Sequence, residues 1–144
     1  MFASHTPNAH ACARARAHAH AYSNIHLETG VPGADSHQLV EMLFDGALTA
    51  IASAVNALER GDIPAKCKAV AKAAAIIDEG LRDALDMKSG GQVAAALQDL
   101  YSCVLMRLTL ANAQNDAAML RECSRLLSPV HDAWKSIRPQ RIAA

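Results

Sequence analysis

Apolar residues return every three or four positions through four long stretches of this chain, and each stretch is bounded by residues that stop a helix. That period suits one face of an α-helix, whereas a half-buried strand alternates every second residue. The first stretch predicts a helix over residues 36–60. Its stripe is Leu39, Leu43, Ala47, Ile51, Ala54 and Leu58, widened by Met42, Phe44, Leu48 and Val55. Asp35 or Ser36 is the expected cap, with Gln38 completing a capping box. Gly46 inside the helix suggests close approach of a neighbour, and Gly61 ends it. The second helix is expected over residues 62–87, with Asp62 as cap and Pro64 in the first turn. Its stripe is Ile63, Cys67, Val70, Ala74, Ile77, Leu81 and Leu85. Gly90 and Gly91 break the chain. The third helix, residues 92–113, carries Val93, Leu97, Leu100, Val104, Leu108 and Ala111. Asn115 and Asp116 predict a tight turn and a new cap. The fourth, residues 117–137, turns Leu120, Cys123, Leu127, Val130 and Trp134 inward. Pro129 is expected to kink it, or to restart it with Ser128 as cap. Short connections make neighbours antiparallel, so the fold expected is an all-α, up-down four-helix bundle over residues 36–137. A flexible arm (1–35) precedes it and a short tail (138–144) follows.

Composition narrows the function. The formal net charge is zero, which offers no electrostatic footprint for nucleic acid or an anionic membrane. Lys66, Lys68 and Lys72 form one local cluster, expected to be a solvated helix face. Cys12, Cys67, Cys103 and Cys123 contain no CxxC pair and read as free thiols in a reducing compartment. No unbroken run of about eighteen apolar residues suggests membrane insertion. Arg14 and Arg16 lie in an alanine alternation without an amphipathic stripe, unlike a targeting helix. His10, Cys12, His18 and His20 form a His-rich tract that reads as a solvated tail more readily than a metal site. His37, His131 and the acidic residues are spaced like surface groups. With no nucleophile–base set, metal box or phosphate loop, neither enzyme chemistry nor a cofactor is expected. What remains is a chain that binds along a surface.

Several phrases go beyond what packing requires: SHQLVEMLFDGA (36–47), KAAAIIDEGLRDALD (72–86), GGQVAAALQDLY (90–101) and RLTLANAQND (107–116). Together with ETGV in the arm, ALERGDIPAK and the closing DAW, they resemble the flagellin export chaperone family (FliS) across residues 22–137. The resemblance implies a four-helix bundle with an extra short helical element. It implies a bacterial cytosolic protein that binds the disordered C-terminal segment of flagellin, prevents premature polymerisation and delivers it to the flagellar type III export gate. Three positions depart from the family pattern. Asp35 and Ser36 replace a Ser-Pro before helix one, Ser102 and Cys103 replace an acid and an aromatic, and Pro129 interrupts helix four.

For a client that folds on binding, the suitable mode is an amphipathic helix in an apolar groove. The residues expected to form that groove lie off the main stripes: Met42, Asp45, Leu48, Lys72, Ile76, Tyr101, Leu105 and Leu108. Asn112 is the expected polar contact to client backbone. Tyr22, Ile25 and Leu27 of the arm are expected to cover the same apolar surface when the client is absent. A different class of reading is a homodimeric or other helix-binding module that uses its spare apolar surface for itself.

Overall fold

The computed structural model describes residues 33–137. The arm anchors Tyr22, Ile25 and Leu27, the His-rich tract and the tail lie outside that range. Helix α1 spans Gly33–Glu59, α2 spans Ile63–Ala75 and continues as a π-helical segment over Ile76–Leu81, α3 spans Gly91–Gln114 and α4 spans Ala117–Ser136. Helix α1 packs on α2, α2 on α3, α3 on α4, and α4 back on α1. This closed ring of sequence neighbours is the expected up-down bundle.

The lower turns follow the sequence closely. Gly61 adopts φ +75°, and the amides of Gly61 and Asp62 reach back to the carbonyls of Leu58 and Ala57. That double bond pattern ends a helix on a left-handed glycine. The Asp62 carboxylate accepts from the Ala65 amide at 3.1 Å. Asn115 is left-handed at φ 52°, and Asp116 caps α4 by accepting from the Met119 amide at 3.1 Å.

Three boundaries differ from expectation. The chain is already helical at Gly33, so Asp35 and Ser36 are not the cap. Of the two alternatives at Pro129 the restart does not occur, since Pro129 lies inside one continuous α4. Ser128 does not cap a second helix; its hydroxyl donates to the Ser124 carbonyl at 2.8 Å. Pro129 is exposed, so the bond it cannot donate is lost on the solvent side, where water can serve the free carbonyl. The largest difference is in helix two, which stops at Leu81 instead of reaching Met87. Its last turn is widened: the Arg82 amide bonds the Ile77 carbonyl, five residues back, at 2.9 Å. Such a turn carries one extra residue. A Cβ on Gly80 would stand 3.0 Å from the Leu43 side chain, so the missing side chain lets α1 seat against it.

The core is small-residue rich. Ala47, Ala54, Ala73 and Ala111 are fully buried beside Ile51, Ile77, Leu81, Val104, Leu108, Leu120 and Leu127. Alanine at facing positions lets helix axes approach closely. Each large aliphatic there contributes roughly 1.5–3 kcal/mol by leaving water. Phe44, expected on the flank, is only 1 % exposed, whereas Ile63 and Val93, expected on stripes, are 40 % and 69 % exposed. Cys67 is also exposed, and Ala73 replaces Ala74 as the buried alanine of α2. Gly46 behaves as expected, because a Cβ there would come within 3.3 Å of Ile76 Cδ1.

Two helices, Ser36–Glu59 and Gly91–Gln114, reach a mean hydropathy of 1.3 over a membrane-length window. Alanine supplies much of that value. Neither is apolar all round, since α1 bears Glu41 and Asp45 and α3 bears Gln98, Asp99 and Arg107, and each puts one face into the shared core.

Glycine positions give a direct test of the packing. A Cβ on Gly90 would meet the Asp86 carbonyl oxygen at 2.5 Å and Ala94 Cβ at 2.6 Å. Gly90→Ala is expected to lower unfolding free energy by about 2 kcal/mol. Gly46→Ala, which displaces only the end of Ile76, is expected to be close to neutral because alanine's helix preference offsets the crowding. Urea unfolding of the two variants checks both.

Candidate functional site

Helix α2 with its π turn is shorter than α1, so at the end of the bundle where α1 begins and α4 finishes the fourth side is taken by a turn-rich segment, residues 82–90. An apolar pocket of ≈ 270 Å³ opens there. Val40 and Phe44 line it from α1, Leu81 from the π segment, and Ala84, Leu85, Asp86 and Gly90 from the connecting turns. Val93, Ala94, Leu97 and Tyr101 line it from α3, and Val130 and Trp134 from α4. Asp86 is the one ionisable carboxylate among these residues. The volume lies just under the ~300–1,000 Å³ of small-molecule sites and suits a few apolar side chains.

The rim is held by hydrogen bonds within the turn. Asp86 Oδ1 accepts from the amides of Lys88 and Ser89 at 3.0 and 3.1 Å, and its Oδ2 accepts from the Ser89 hydroxyl at 2.5 Å. These bonds, the Ser89 hydroxyl first, hold the Asp86 carboxyl below the usual carboxylate range. The side chain thus stays ionised and keeps the turn folded over the pocket.

Aromatic groups fix the opposite wall. Trp134 Nε1 donates to the His37 carbonyl at 2.9 Å, and the His37 and Trp134 rings stack at 4.3 Å. Phe44 stacks on His131 at 5.4 Å and tilts against Tyr101 at 6.4 Å. His37 and His131 are therefore buried, 7 % and 6 % exposed, and not surface groups. Their aromatic faces pack while His131 Nε2 sits 3.2 Å from Asp45 Oδ1 across the α1–α4 seam.

The residues expected to form one groove are spread over several surfaces. Met42 is 58 % exposed on α1. Asp45 faces α4 through His131, while Ile76 lies beside Gly46 on the α2 side. Leu48, Ile76 and Leu105 are half-buried against the core, and Lys72 is exposed. Tyr101 and Leu108 are core residues, 2 % and 1 % exposed, and of the expected set only Tyr101 lines the pocket. The other lining residues escaped sequence reasoning because the pocket is made by where α2 stops. The Gly90–Gly91 pair was the available signal that a non-helical turn abuts this end.

The polar centre of the other end was also unforeseen. Lys66, expected on a solvated face, is 2 % exposed. Its ammonium donates to the backbone carbonyl of Asn112 at 2.8 Å and to Asn112 Oδ1 at 2.7 Å. The Asn112 oxygen thus joins α2 to α3 and is already engaged within the bundle. Among the described residues, no group of three His, Cys, Asp or Glu side chains is placed to hold a metal ion.

With this geometry in place, comparison with known proteins is informative. The sequence matches the family described as "Flagellar protein FliS" over residues 18–141. The chain belongs to the FliS family. It is 46 % identical over 119 residues to the flagellar secretion chaperone FliS of Salmonella typhimurium strain LT2, covering 83 % of this chain and 88 % of that one. It is 40 % identical over 116 residues to the flagellar secretion chaperone FliSB of Pseudomonas aeruginosa, covering 81 % and 91 %. The Bacillus subtilis flagellar secretion chaperone FliS is 33 % identical over 114 residues, with 79 % and 80 % covered. These relatives are named as chaperones, not enzymes, which agrees with a site built of apolar walls and a hydrogen-bonded rim.

Two outcomes test the site's supports. Asn112→Ala is expected to lower stability by about 2 kcal/mol, because a buried ammonium loses an acceptor. Adding Lys66→Met to that variant is expected to restore most of the loss, as measured by urea unfolding, since both polar partners are then gone. Second, burial pushes the Cys123 thiol up to about 11 from 9.0 and raises the Tyr101 phenol. The folded state therefore holds these protons more tightly than the unfolded chain. Stability is fully present below pH 9 and is expected to fall as pH rises towards 11, with the fall reduced in Cys123→Ala.

Proposed function

We propose that the protein is a cytoplasmic export chaperone that binds the disordered C-terminal segment of flagellin, shields it from premature polymerisation and delivers it to the flagellar type III export apparatus. The observation that carries this reading is the open apolar pocket at the end of the bundle, on a chain whose relatives are named flagellar secretion chaperones. A segment that polymerises by burying an amphipathic helix can insert apolar side chains between α1, α3 and α4. Spacings of i, i+3 and i+4 would place them along one groove. The client orders as it binds, so part of the interaction energy is spent on folding it, and release at the export gate stays accessible.

The exposed apolar residues extend the reading. Val93 at the pocket mouth and Met42 on α1 present surface beyond the core. Leu48, Leu105 and Ile76 lie half-buried where a groove between helices would widen. Lys72 and Asp45 supply polar edges. Tyr101 serves as pocket floor, and Leu108 and Asn112 support the helix that carries it. The arm enters the bundle at Gly33, beside the end where Val40 and Trp134 border the pocket. Tyr22, Ile25 and Leu27 are proposed to shield that surface until the client arrives.

Calorimetric titration of the full chain with a flagellin C-terminal peptide tests the proposal. Saturable binding with a negative heat-capacity change is expected, the mark of apolar burial. Val93→Asp should weaken that binding at least tenfold with an unchanged melting temperature, because Val93 is exposed at the rim. Ile76→Asp is the poorer probe, since Ile76 packs against α1. A folded protein that binds no peptide would refute the reading.

A further inference from the structure

Three side chains in the wall of the pocket carry a hydrogen-bonding group: Asp86, Tyr101 and Trp134. Two of them are engaged within the fold. The Trp134 indole N–H donates to the His37 carbonyl. The Asp86 carboxylate accepts from the Lys88 and Ser89 amides and from the Ser89 hydroxyl. Tyr101 differs. It is only 2 % exposed, yet its hydroxyl makes no hydrogen bond among the described residues, and burial is the cause of its raised phenol. The side chains around it in the pocket, Val40, Phe44, Leu97 and Val130 among them, are apolar.

That lone hydroxyl constrains what can fill the pocket. A phenol both donates and accepts, and drying it without a partner costs free energy. Water can serve it while the pocket stands open. A purely apolar side chain that enters displaces the water and leaves the hydroxyl bare, so part of the gain from burial is lost. A side chain with its own acceptor restores the bond and keeps the gain. The client backbone is poorly placed for this, because a docked helix uses its carbonyls on its own amides and lies at the mouth, a side chain's length above Tyr101. A client carboxylate is disfavoured as well, since it would shed its water in an apolar chamber beside the ionised Asp86. An uncharged acceptor on a side chain remains. A carboxamide meets the need best: its stem packs on apolar walls, its oxygen accepts at depth, and its amide can turn towards the open mouth.

We infer that the Tyr101 hydroxyl is a specificity determinant of the pocket, donating to the carboxamide oxygen of an Asn or Gln side chain set in the otherwise apolar face of the docked helix. The inference rests on the proposed binding of flagellin's C-terminal segment and adds which side chain the pocket takes. A site built around a hydrogen bond discriminates against a partner that cannot make it. The apolar walls thus supply attraction for any amphipathic helix, and Tyr101 supplies the preference among them.

Calorimetric titration of the full chain and of Tyr101→Phe with the flagellin C-terminal peptide tests it. Tyr101→Phe should keep the wild-type melting temperature, since the hydroxyl ties nothing in the free protein, and should bind the peptide about tenfold more weakly. In the peptide, each Asn is replaced by Leu and each Gln by Met in turn. One such exchange should weaken binding to the wild-type chain about tenfold and leave binding to Tyr101→Phe nearly unchanged, the coupling of a direct bond. A wild-type chain that binds no peptide overturns the flagellin reading and this inference with it. Peptide binding that Tyr101→Phe leaves intact overturns the inference alone, as does a series in which no Asn or Gln couples to Tyr101. A lowered melting temperature that accounts for the lost affinity also overturns it, for the hydroxyl is then a structural tie.

Discussion

The early end of helix α2 is the constraint on which the rest of the molecule depends. Three helices continue past the level of Leu81, and the fourth side is closed by turns alone. A bundle of equal helices would bury its core along the whole length. Here the lower part is tightly buried and alanine-lined, and the upper part is not, because α2 supplies no side chains beyond Leu81. The aromatic residues gather at that level. Phe44, Tyr101, Trp134 and the two histidine rings span the wider gap that alanine cannot, and they leave a concavity where they fall short.

The two ends of the bundle therefore divide the work. At the lower end, Lys66 is clamped by Asn112, and Arg121 pairs with Glu59 at 2.9 Å between the start of α4 and the end of α1. The buried bond is the stronger tie, for an exposed ion pair contributes little. At the upper end the ties include an indole hydrogen bond, the His131–Asp45 contact, stacked rings and the turn around Asp86. Such ties let a wall shift by a side-chain rotation without opening the alanine-lined core. This arrangement suits the proposed uptake and release of a folding segment.

Much of the architecture was legible in the sequence, and the reasons are local. Asp62, Gly61, Asn115 and Asp116 state their turns through their own backbone preferences and short side chains, and no distant contact is needed to read them. Ile51, Val104, Leu120, Cys123 and Leu127 follow the helical period into the core. The larger misreadings involve long-range choices. Residues 82–87 continue an apolar stripe through Leu85, yet the helix ends before them at the widened turn, where Gly80 packs on Leu43 and Asp86 holds the following turn. Lys66 looks like its exposed neighbours until Asn112, forty-six positions later, supplies its acceptors. His37 and His131 are polar in composition but packed through their ring faces. For the candidate site the family resemblance implied a chaperone, while the pocket itself was hidden because it is a property of helix lengths.

The widened turn at Ile76–Leu81 carries one more consequence. A π turn holds one residue more than an α turn closing on the same face, so it acts as slack in the chain's register. Loss of one residue from this turn would tighten it into ordinary helix and leave Ile77 and Leu81 on the core side. The same loss within Ile63–Ala75 would rotate everything beyond it by about 100° and turn Lys66 or Val70 out of place. The segment that shapes the pocket is thus also where this helix tolerates a change in length, so related chains can alter the depth of the pocket here without rebuilding the bundle beneath it.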